Sequence, residues 1–419
     1  MNAMTLTSLA AAGAIEVTPA DRDRILAGAP LFFRLAANMA SRIRYGSLIF
    51  LLPDGRKLKF TGQFEQDQIG VIEVRDFRFA RRSVMGGGAG FFETYADGYW
   101  DTPDLTMVLY VFARNADYVH EALTAVPIAR FFMRLKHQMN RNTRSGSKRN
   151  IMAHYDLGNE FYEKWLDGTM TYSSARFPAP GADLAAAQRN KYLTLARSID
   201  LKAGDSVLEI GSGWGGFAEF AAREVGAKVT GLTISPAQLD YARQRIFRQG
   251  LADRVEFRLQ DYRDATGAFD KIASIEMFEA VGREYWPTYF GKVRDLLKPG
   301  GAAGLQIITI ADRFFDAYAR SSDFIQQYVF PGGMLPSPSA LKAEIARAGL
   351  IWKGEAEFGL DYAQTLAEWH RRFLDAWHDI VAMGFDERFK KLWRFYLSYC
   401  EAGFRARTTD VMQVTLARA

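Results

Sequence analysis

Hydrophobic and polar positions follow a strand-like pattern in the first quarter of the chain. The apolar stretch from Gly46 to Leu52 is followed by the turn Pro53–Asp54–Gly55, and then by KLKFTGQF and IGVIEVRDFRF with partial period-two alternation. A triple glycine at 86–88 predicts a loop. The pattern therefore predicts a smaller mixed α/β domain, with bounds of 1–125, whose role in docking lipid is a hypothesis.

From about residue 200 the pattern changes to alternating strands and helices. Helical stretches such as PAQLDYARQRIFRQG separate five strand-like runs. These runs are DSVLEIGSGWGG, AKVTGLTIS, RVEFRLQDY, FDKIASIEMF and GGAAGLQIITIA. Such alternation is typical of a doubly wound, mostly parallel sheet with helices on both faces. We therefore predict a Rossmann-like α/β domain over 151–419.

A basic segment at 126–150 separates these two regions. Within PIARFFMRLKHQMNR (127–141) the apolar residues recur at helical spacing, and 130–149 contains seven Lys or Arg and no acidic residue. The segment predicts an amphipathic helix that runs into a polar linker. Two interpretations remain open: a connector that packs on a domain, or a surface that meets anionic lipid head groups.

Composition narrows the classes of function. Aromatic residues reach 14%, which suits either a large core or an apolar substrate pocket. Cys400 is the single cysteine, so an intramolecular disulfide and a cysteine-based metal cluster are excluded. The histidines show no persuasive metal-ligand spacing, and we expect no metal site. A net charge of +5 does not indicate a nucleic-acid partner, and the absence of a signal-peptide pattern favours the cytoplasm.

The strongest local motif is the run VLEIGSGWGG at 207–216, where a strand ends in a glycine-rich turn. Glycines are needed where the backbone turns tightly and approaches a ligand. Dinucleotide-binding enzymes also use such a loop, but the final glycine of their fingerprint is missing here. Glu209 precedes the first glycine by two residues, where a methyltransferase uses it to orient the loop. The second strand ends in GLTIS without the carboxylate expected for a nicotinamide ribose.

Several further motifs occur in a fixed order along the chain. They are NIMAHYDLGNEFYEKWLDGTMTYSSARF, VLEIGSGWGG, GLTISPAQ, FDKIASIEMFEAVG, FPGGMLPS, DYAQTLAEWHRRF and GFRAR. On these motifs the chain resembles the cyclopropane fatty acid synthase family, including the mycolic acid cyclopropane synthases, over roughly residues 90–415. The resemblance implies a class I methyltransferase domain that uses S-adenosylmethionine (SAM).

The resemblance also assigns cofactor contacts to particular positions. Two residues match those that bind the methionine part, two line the loop, two lie near the ribose and two contact the adenine. In that order they are Tyr172 and Ser173, Gly211 and Gly213, Thr233 and Gln238, and Asp261 and Tyr262. Local structural roles remain as alternatives, such as helix capping by Asp261.

The chemistry implied by the resemblance is methyl transfer to a double bond of an unsaturated phospholipid acyl chain. The π electrons attack the methyl group and leave a carbocation, from which a base removes a proton. Family members hold a bicarbonate ion as this base, and its site resembles Glu279 and Tyr362 here. Aromatic faces and carboxylates would stabilise the cation.

The sequence departs from the family around this presumed anion. Ser174 replaces a cysteine, and Ala280 follows Glu279 where the family has histidine. Another family histidine corresponds to Ile308, and Gln306, two residues earlier on the same strand face, is expected to supply a substitute hydrogen bond. We therefore assign Glu279, Tyr362, Ser174 and Gln306 to catalysis, with bicarbonate as an open cofactor. The product is then a cyclopropane or a methyl- or methylene-branched chain.

Two other functions remain as alternatives. One is a methyltransferase that acts on a soluble small molecule, and the other is a non-catalytic lipid-binding relative. For the main interpretation we expect peripheral association with the anionic inner face of the membrane. A second copy of the chain is kept as a candidate partner.

Overall fold

The structure, a computed structural model, describes residues 3–118 and 157–418. The strands are β1 (Ile15–Glu16), β2 (Tyr45–Leu51), β3 (Lys57–Thr61), β4 (Phe64–Val74), β5 (Trp100–Asp101), β6 (Ser206–Ile210), β7 (Lys228–Thr233), β8 (Val255–Leu259), β9 (Phe269–Ile275), β10 (Leu297–Ile310), β11 (Leu350–Glu357) and β12 (Thr409–Arg418).

Helices connect and flank these strands. They are α1 (Ala3–Ala11), α2 (Arg22–Ile25), α3 (Leu31–Ala40), α4 (Arg78–Ala96), α5 (Leu105–Arg114), α6 (Asn159–Glu163), α7 (Leu184–Ser198), α8 (Gly216–Phe220), α9 (Pro236–Arg248), α10 (Trp286–Leu296), α11 (Asp312–Tyr318), α12 (Phe324–Tyr328), α13 (Pro338–Arg347), α14 (Gly359–Asp375), α15 (Trp377–Ala382) and α16 (Glu387–Arg405).

The chain divides into two units that are both discontinuous in sequence. The first comprises 1–143, 321–327 and 385–408, and the second comprises the remainder. The boundaries predicted at residues 125 and 150 lie outside the described residues, as does the basic helix predicted at 127–141, and all of them stay predictions. No single boundary along the chain describes this division, because α16 belongs to the first unit although it lies near the end of the sequence.

The first unit contains a mixed sheet with the strand order β1-β3-β2-β4-β5. β2 pairs antiparallel with β3 and parallel with β4. The period-two alternation appears in β3, where Leu58 and Phe60 are buried and their neighbours are partly exposed. This sheet, flanked by helices, confirms the smaller mixed N-terminal domain of the sequence prediction.

The triple glycine at 86–88 was wrongly predicted to form a loop. Helical structure continues on both sides of it within α4, and the break is confined to Gly87, whose φ is 60° and ψ is −143°. Only a residue without a Cβ adopts that combination at low cost. The glycines therefore kink a helix.

The second unit contains a seven-stranded sheet with the order β11-β12-β10-β9-β6-β7-β8. Its strands are parallel except β12, which pairs antiparallel with β10 and β11. All five predicted strands are present, and β11 and β12 are additions. The strand order reverses between β6 and β9, and such a switch point opens a crevice at the carboxyl ends of the strands. The predicted doubly wound α/β fold is confirmed.

Helices cover both faces of this sheet. Val207 of β6 packs in a core with residues of α8 and α9, whereas Leu208 packs in a second core with residues of α10. Adjacent residues of a strand point to opposite faces, so a strand covered on both sides is apolar throughout. The run Val-Leu before Glu209 therefore reflects burial on two faces.

Two structural absences apply to the described residues only. Across 3–118 and 157–418, no helix combines the length and the apolar character needed to cross a bilayer. Over the same ranges, no group of three or more His, Cys, Asp or Glu side chains is arranged to hold a metal ion.

Candidate active site

The glycine loop follows β6 at the carboxyl edge of the sheet. Gly211 and Gly213 have φ values of 84° and 52°, in the left-handed region that favours glycine. The N–H groups of Gly211 and Ser212 both donate to the Leu232 carbonyl oxygen of β7, at 3.0 and 2.8 Å. A Cβ at Gly213 would meet open space. The loop is thus tied to the sheet at its start and leaves room beside Gly213.

Close packing at Gly211 yields a first prediction. An added Cβ there would lie 2.9 Å from the Met277 Cβ, whereas Gly204 has the same φ of 84° and no neighbour within 4 Å. We expect Gly211→Ala to cost about 1–3 kcal/mol more than Gly204→Ala, since both carry the backbone strain but only one carries the clash. We also expect about tenfold weaker SAM binding for Gly211→Ala alone.

Urea unfolding of both variants and SAM titration by calorimetry measure these two effects. Equal destabilisation with equal SAM affinity would contradict the prediction.

Glu209 is buried within β6, and the backbone N–H of Ala218 in α8 is among the groups that favour its charged form. Burial raises the pKa of Glu209 well above its usual value, and the Arg245 guanidinium opposes that rise. Oε2 of Glu209 is buried and has no hydrogen-bond partner among the described residues. An orphan acceptor of this kind suits polar groups of a bound ligand.

The residues predicted near the ribose meet at the end of β7. The Thr233 hydroxyl donates to Oε1 of Gln238 at 3.0 Å and accepts from the Ser235 N–H. The Ser235 hydroxyl in turn accepts from the Gln238 N–H and caps α9. The structure brings Thr233 and Gln238 together, and their ribose contact stays a prediction.

Asp261 and Tyr262 lie in the turn after β8. The Asp261 carboxylate accepts from the Arg263 N–H at 2.9 Å and pairs with the Arg263 guanidinium at 2.6 Å. The local capping role is therefore present for Asp261, and its adenine contact stays a prediction. Tyr262 packs edge-on against Tyr289, and burial raises its pKa to about 12.

An aromatic cluster of Tyr162, Trp165, Tyr172 and Trp369 surrounds the segment that precedes the serines. Ring centroids of Tyr172 lie 5.2, 5.6 and 5.3 Å from those of Tyr162, Trp165 and Trp369. Edge-on and tilted packing at these distances is favourable. This packing fixes the position of Tyr172 and hence the course of the backbone through Ser173 and Ser174.

Ser173 and Ser174 both make hydrogen bonds in the structure, and their predicted roles in cofactor binding and catalysis stay predictions. The Ser173 hydroxyl accepts from Nζ of Lys191 at 2.7 Å, and Lys191 is fully buried in α7. The Ser174 hydroxyl donates to the Ala175 carbonyl, while its backbone N–H donates to Oε1 of Glu276 at 2.8 Å. Ser174 thus contributes its main chain to the site.

Glu276, which directly follows β9, is the centre of the polar site. Its Oε1 also accepts from Nε2 of Gln306 at 2.7 Å, and its Oε2 accepts from the Tyr362 hydroxyl at 2.6 Å. Burial raises the pKa of Glu276, and the Lys191 ammonium and these donors oppose the rise. We call Glu276, Glu279, Gln306, Tyr362 and Lys191 the carboxylate cluster.

Glu279 lies one short turn further along the chain. Its Oε1 accepts from the Ile308 backbone N–H, and its Oε2 is buried without a hydrogen-bond partner among the described residues. Burial raises the pKa of Glu279 to about 8, and the negative charge of Glu276 adds to the rise. Two neighbouring carboxyl groups thus experience different environments.

Glu279 and Tyr362, which the resemblance places around one anion, have different hydrogen-bond partners in the structure. The Tyr362 hydroxyl donates to Glu276. A second hydrogen bond holds α14 in this position, because Oγ1 of Thr365 accepts from the N–H of Ala175, the residue after Ser174. Gln306 faces this site as expected, whereas Ile308 contributes only its N–H to a carboxylate. Ala280 brings no polar side chain.

The sequence analysis missed two members of the carboxylate cluster. An acidic residue directly after a buried parallel strand is a detectable indication of a ligand-facing position, and Glu276 meets it. Lys191 gives no such indication, because a lysine within an amphipathic helix is normally solvated.

The chain is similar to known proteins over most of its length. The sequence family described as "Mycolic acid cyclopropane synthetase" matches residues 142–414. The chain is 40% identical over 352 residues to a protein of Mycobacterium tuberculosis named tuberculostearic acid methyltransferase UfaA1, and the match covers 81% of each chain. It is 36% identical over 354 residues to the cyclopropane-fatty-acyl-phospholipid synthase of Escherichia coli K12, with 83% of this chain and 87% of the relative covered.

Solved structures of cyclopropane synthases are also similar to this chain. The cyclopropane synthase MmaA2 from Mycobacterium tuberculosis aligns with a TM-score of 0.61 and 26% identity over 66% of this chain and 100% of its own. The mycolic acid cyclopropane synthase CmaA1, solved with S-adenosylhomocysteine (SAH) and CTAB, aligns with a TM-score of 0.61 and 28% identity over 64% of this chain and 98% of its own.

SAM fits the residues found at the carboxyl edge of the sheet. The loop leaves open space at Gly213, and Glu209, shortly before it in the sequence, offers an unpaired acceptor. These features, together with the match over 142–414 and the relatives above, make the chain a member of the mycolic acid cyclopropane synthetase family and a SAM-dependent C-methyltransferase that modifies lipids.

Proposed function

We propose that the protein transfers the methyl group of SAM to the double bond of an unsaturated phospholipid acyl chain, through a carbocation. The observation that carries this proposal is the continuity of the site. Tyr172, Ser173 and Ser174 are consecutive residues that connect the aromatic cluster to the carboxylate cluster. An apolar, aromatic wall beside buried carboxylates suits an alkyl chain that becomes positively charged.

An alkene is a weak nucleophile, so the reaction needs a strong electrophile and a dry site. When bound, SAM supplies a methyl group on a positively charged sulfur. The faces of Tyr172 and Trp369 would stabilise positive charge on the acyl chain. The carboxylate of Glu276 would add electrostatic stabilisation, since its orientation is already set by three donated hydrogen bonds. Packed aromatic rings exclude water that would trap the cation.

The type of product remains open within this proposal. One relative is named for tuberculostearic acid and another for a cyclopropane fatty acyl phospholipid, at the similar identities of 40% and 36%. Loss of a proton from the added methyl carbon closes a ring or forms an exocyclic methylene. Loss from a chain carbon leaves a methyl-branched alkene.

Methyl-deuterated SAM distinguishes these products. We expect label in the fatty acids released from unsaturated phosphatidylglycerol vesicles after incubation with the protein, measured by mass spectrometry. Two retained deuterons mean that the methyl carbon lost the proton, and NMR then separates ring from methylene. Three retained deuterons mean that a chain carbon lost it. Absence of label, with SAM binding confirmed by calorimetry, would refute the lipid substrate and favour a soluble one.

Association with an anionic membrane surface is part of the same proposal. Its support is the basic segment at 127–141, read from sequence, together with the lipid named for the relative from Escherichia coli. Peripheral contact with the cytoplasmic face would let the acyl chain reach the site from the bilayer.

A further inference from the structure

The Glu276 carboxylate lies where the resemblance places an external anion. The Tyr362 hydroxyl, expected to bind bicarbonate, donates instead to Oε2 of Glu276 at 2.6 Å. Gln306, expected to help bind the same anion, donates to Oε1 at 2.7 Å. A bicarbonate ion held by these two donors would have to displace the side chain. The donor set therefore does not fit bicarbonate at this position while Glu276 occupies it.

The backbone at Glu276 is held in an unfavourable conformation. Its φ of 49° lies in the left-handed region, which costs a residue with a Cβ about 1 kcal/mol or more. Such conformations persist where surrounding structure maintains them, and they concentrate at functional sites. Here the three hydrogen bonds to the carboxylate maintain it. A glycine would adopt this backbone more easily but would provide no carboxylate.

The charges around the site separate the roles of the two carboxyl groups. Glu276 accepts three hydrogen bonds and interacts with the Lys191 ammonium, all of which favour its ionised form. Glu279 accepts one hydrogen bond from Ile308, and Glu276 repels its negative charge. Burial raises the pKa of both groups, but the hydrogen bonds and the Lys191 charge favour the ionised form more at Glu276 than at Glu279, and the ionised carboxylate is the form that accepts a proton.

We propose that Glu276 is the general base of the reaction, a carboxylate built into the chain in place of a bound bicarbonate. This inference rests on the proposed function. In the step, a C–H bond breaks and its electron pair neutralises the cation. If the bond is on the added methyl carbon, the pair forms the C–C bond to the cationic carbon that closes the ring; if it is on a carbon next to the cationic carbon, the pair forms a C=C bond. The proton moves to a Glu276 oxygen, and the cation becomes neutral. Tyr362, Gln306 and Lys191 are positioning residues for this carboxylate.

Removing the carboxylate tests the proposal. Glu276→Gln retains an acceptor for the donated hydrogen bonds but not the base, and Glu276→Gly also frees the space. Asp200→Gly is the matched control, because exposed Asp200 has a φ of 50° and lies outside the site. Turnover with unsaturated vesicles is measured in buffer purged of carbon dioxide, with sodium bicarbonate or sodium chloride then added.

We expect wild type and Asp200→Gly to be insensitive to bicarbonate. Both Glu276 variants should lose about 10²–10⁴-fold in turnover, the usual contribution of a general base. Bicarbonate should restore part of the turnover of Glu276→Gly only, since Gln fills the anion's space. Full turnover of Glu276→Gln or Glu276→Gly in purged buffer, or wild-type turnover that requires bicarbonate, would overturn the proposal.

A binding measurement separates this inference from the proposed function, because it needs no turnover. Bicarbonate should raise the unfolding midpoint of Glu276→Gly relative to equal sodium chloride and leave wild type unchanged, since a ligand stabilises only the protein that binds it. Stabilisation of wild type as well would refute the replacement of bicarbonate by Glu276, whatever the substrate. Unlabelled wild-type products would instead refute the lipid substrate.

Discussion

Lys191→Met is expected to destabilise the protein by about 3–5 kcal/mol and to lower its unfolding midpoint by roughly 10 °C. Lys191 is completely buried, donates to the Ser173 hydroxyl and carries the positive charge that offsets Glu276. Burial lowers the pKa of Lys191, and the charge of Glu276 opposes this change. Without the ammonium, a buried carboxylate is left without a counter-charge.

Two further variants identify the partner of this lysine. Lys202→Met is the control, since Lys202 pairs with Asp200 on the exposed surface, where solvent screens the pair and it adds little to stability. The double variant Lys191→Met/Glu276→Gln should regain most of the stability, because it removes both charges together. Calorimetric unfolding without SAM measures all four proteins. A double variant as unstable as Lys191→Met would show that the lysine acts through another group.

The second large effect is a dependence of stability on pH that originates at Glu279. Burial raises its pKa from 4.5 to about 8, so between these values the folded protein holds a proton that the unfolded chain has released. The contribution of Glu279 is therefore fully present below about pH 4.5 and is lost as the pH rises through about 8. At 1.36 kcal/mol for each pKa unit, its loss amounts to at most about 5 kcal/mol.

Glu279→Gln should remove this part of the pH dependence. We expect the variant to gain stability relative to wild type between pH 5 and pH 9, because its amide cannot ionise. Glu284→Gln, a change at an exposed residue a few positions further along the chain, is the control and should follow wild type. Denaturant unfolding at half-unit pH intervals gives the difference curves. A constant difference between Glu279→Gln and wild type across this range is the result that would contradict a raised pKa.

Much of the fold was predictable because it depends on local pattern. The runs around Leu208 and Ile272 are apolar on both faces, and glycines follow β6 where the chain must turn toward a ligand. β11 and β12 were not predicted. β11 buries only its first residue, and β12 is antiparallel in a sheet whose pattern indicated parallel strands. The sequences of β11 and β12 therefore do not distinguish them from irregular surface segments.

The candidate site was predicted in part. The resemblance identified Glu279, Gln306 and Tyr362, and all three belong to the carboxylate cluster. Glu276 was not among the residues that the resemblance assigned, although its position directly after a buried parallel strand indicates it. Ser174 contacts Glu276 through its backbone N–H, which every residue except proline possesses, and the catalytic role of its side chain stays a prediction.

The sequence by itself determined the doubly wound sheet, the glycine loop and the relationship to SAM-dependent lipid methyltransferases. The tertiary structure decided which carboxylate receives the Tyr362 hydroxyl and that Lys191 is buried beside it. The physical reason is the separation along the sequence of the residues that interact. Periodicity describes neighbours a few residues apart, whereas the Glu276 contacts join segments 30 to 102 residues apart and depend on differences of an ångström between them.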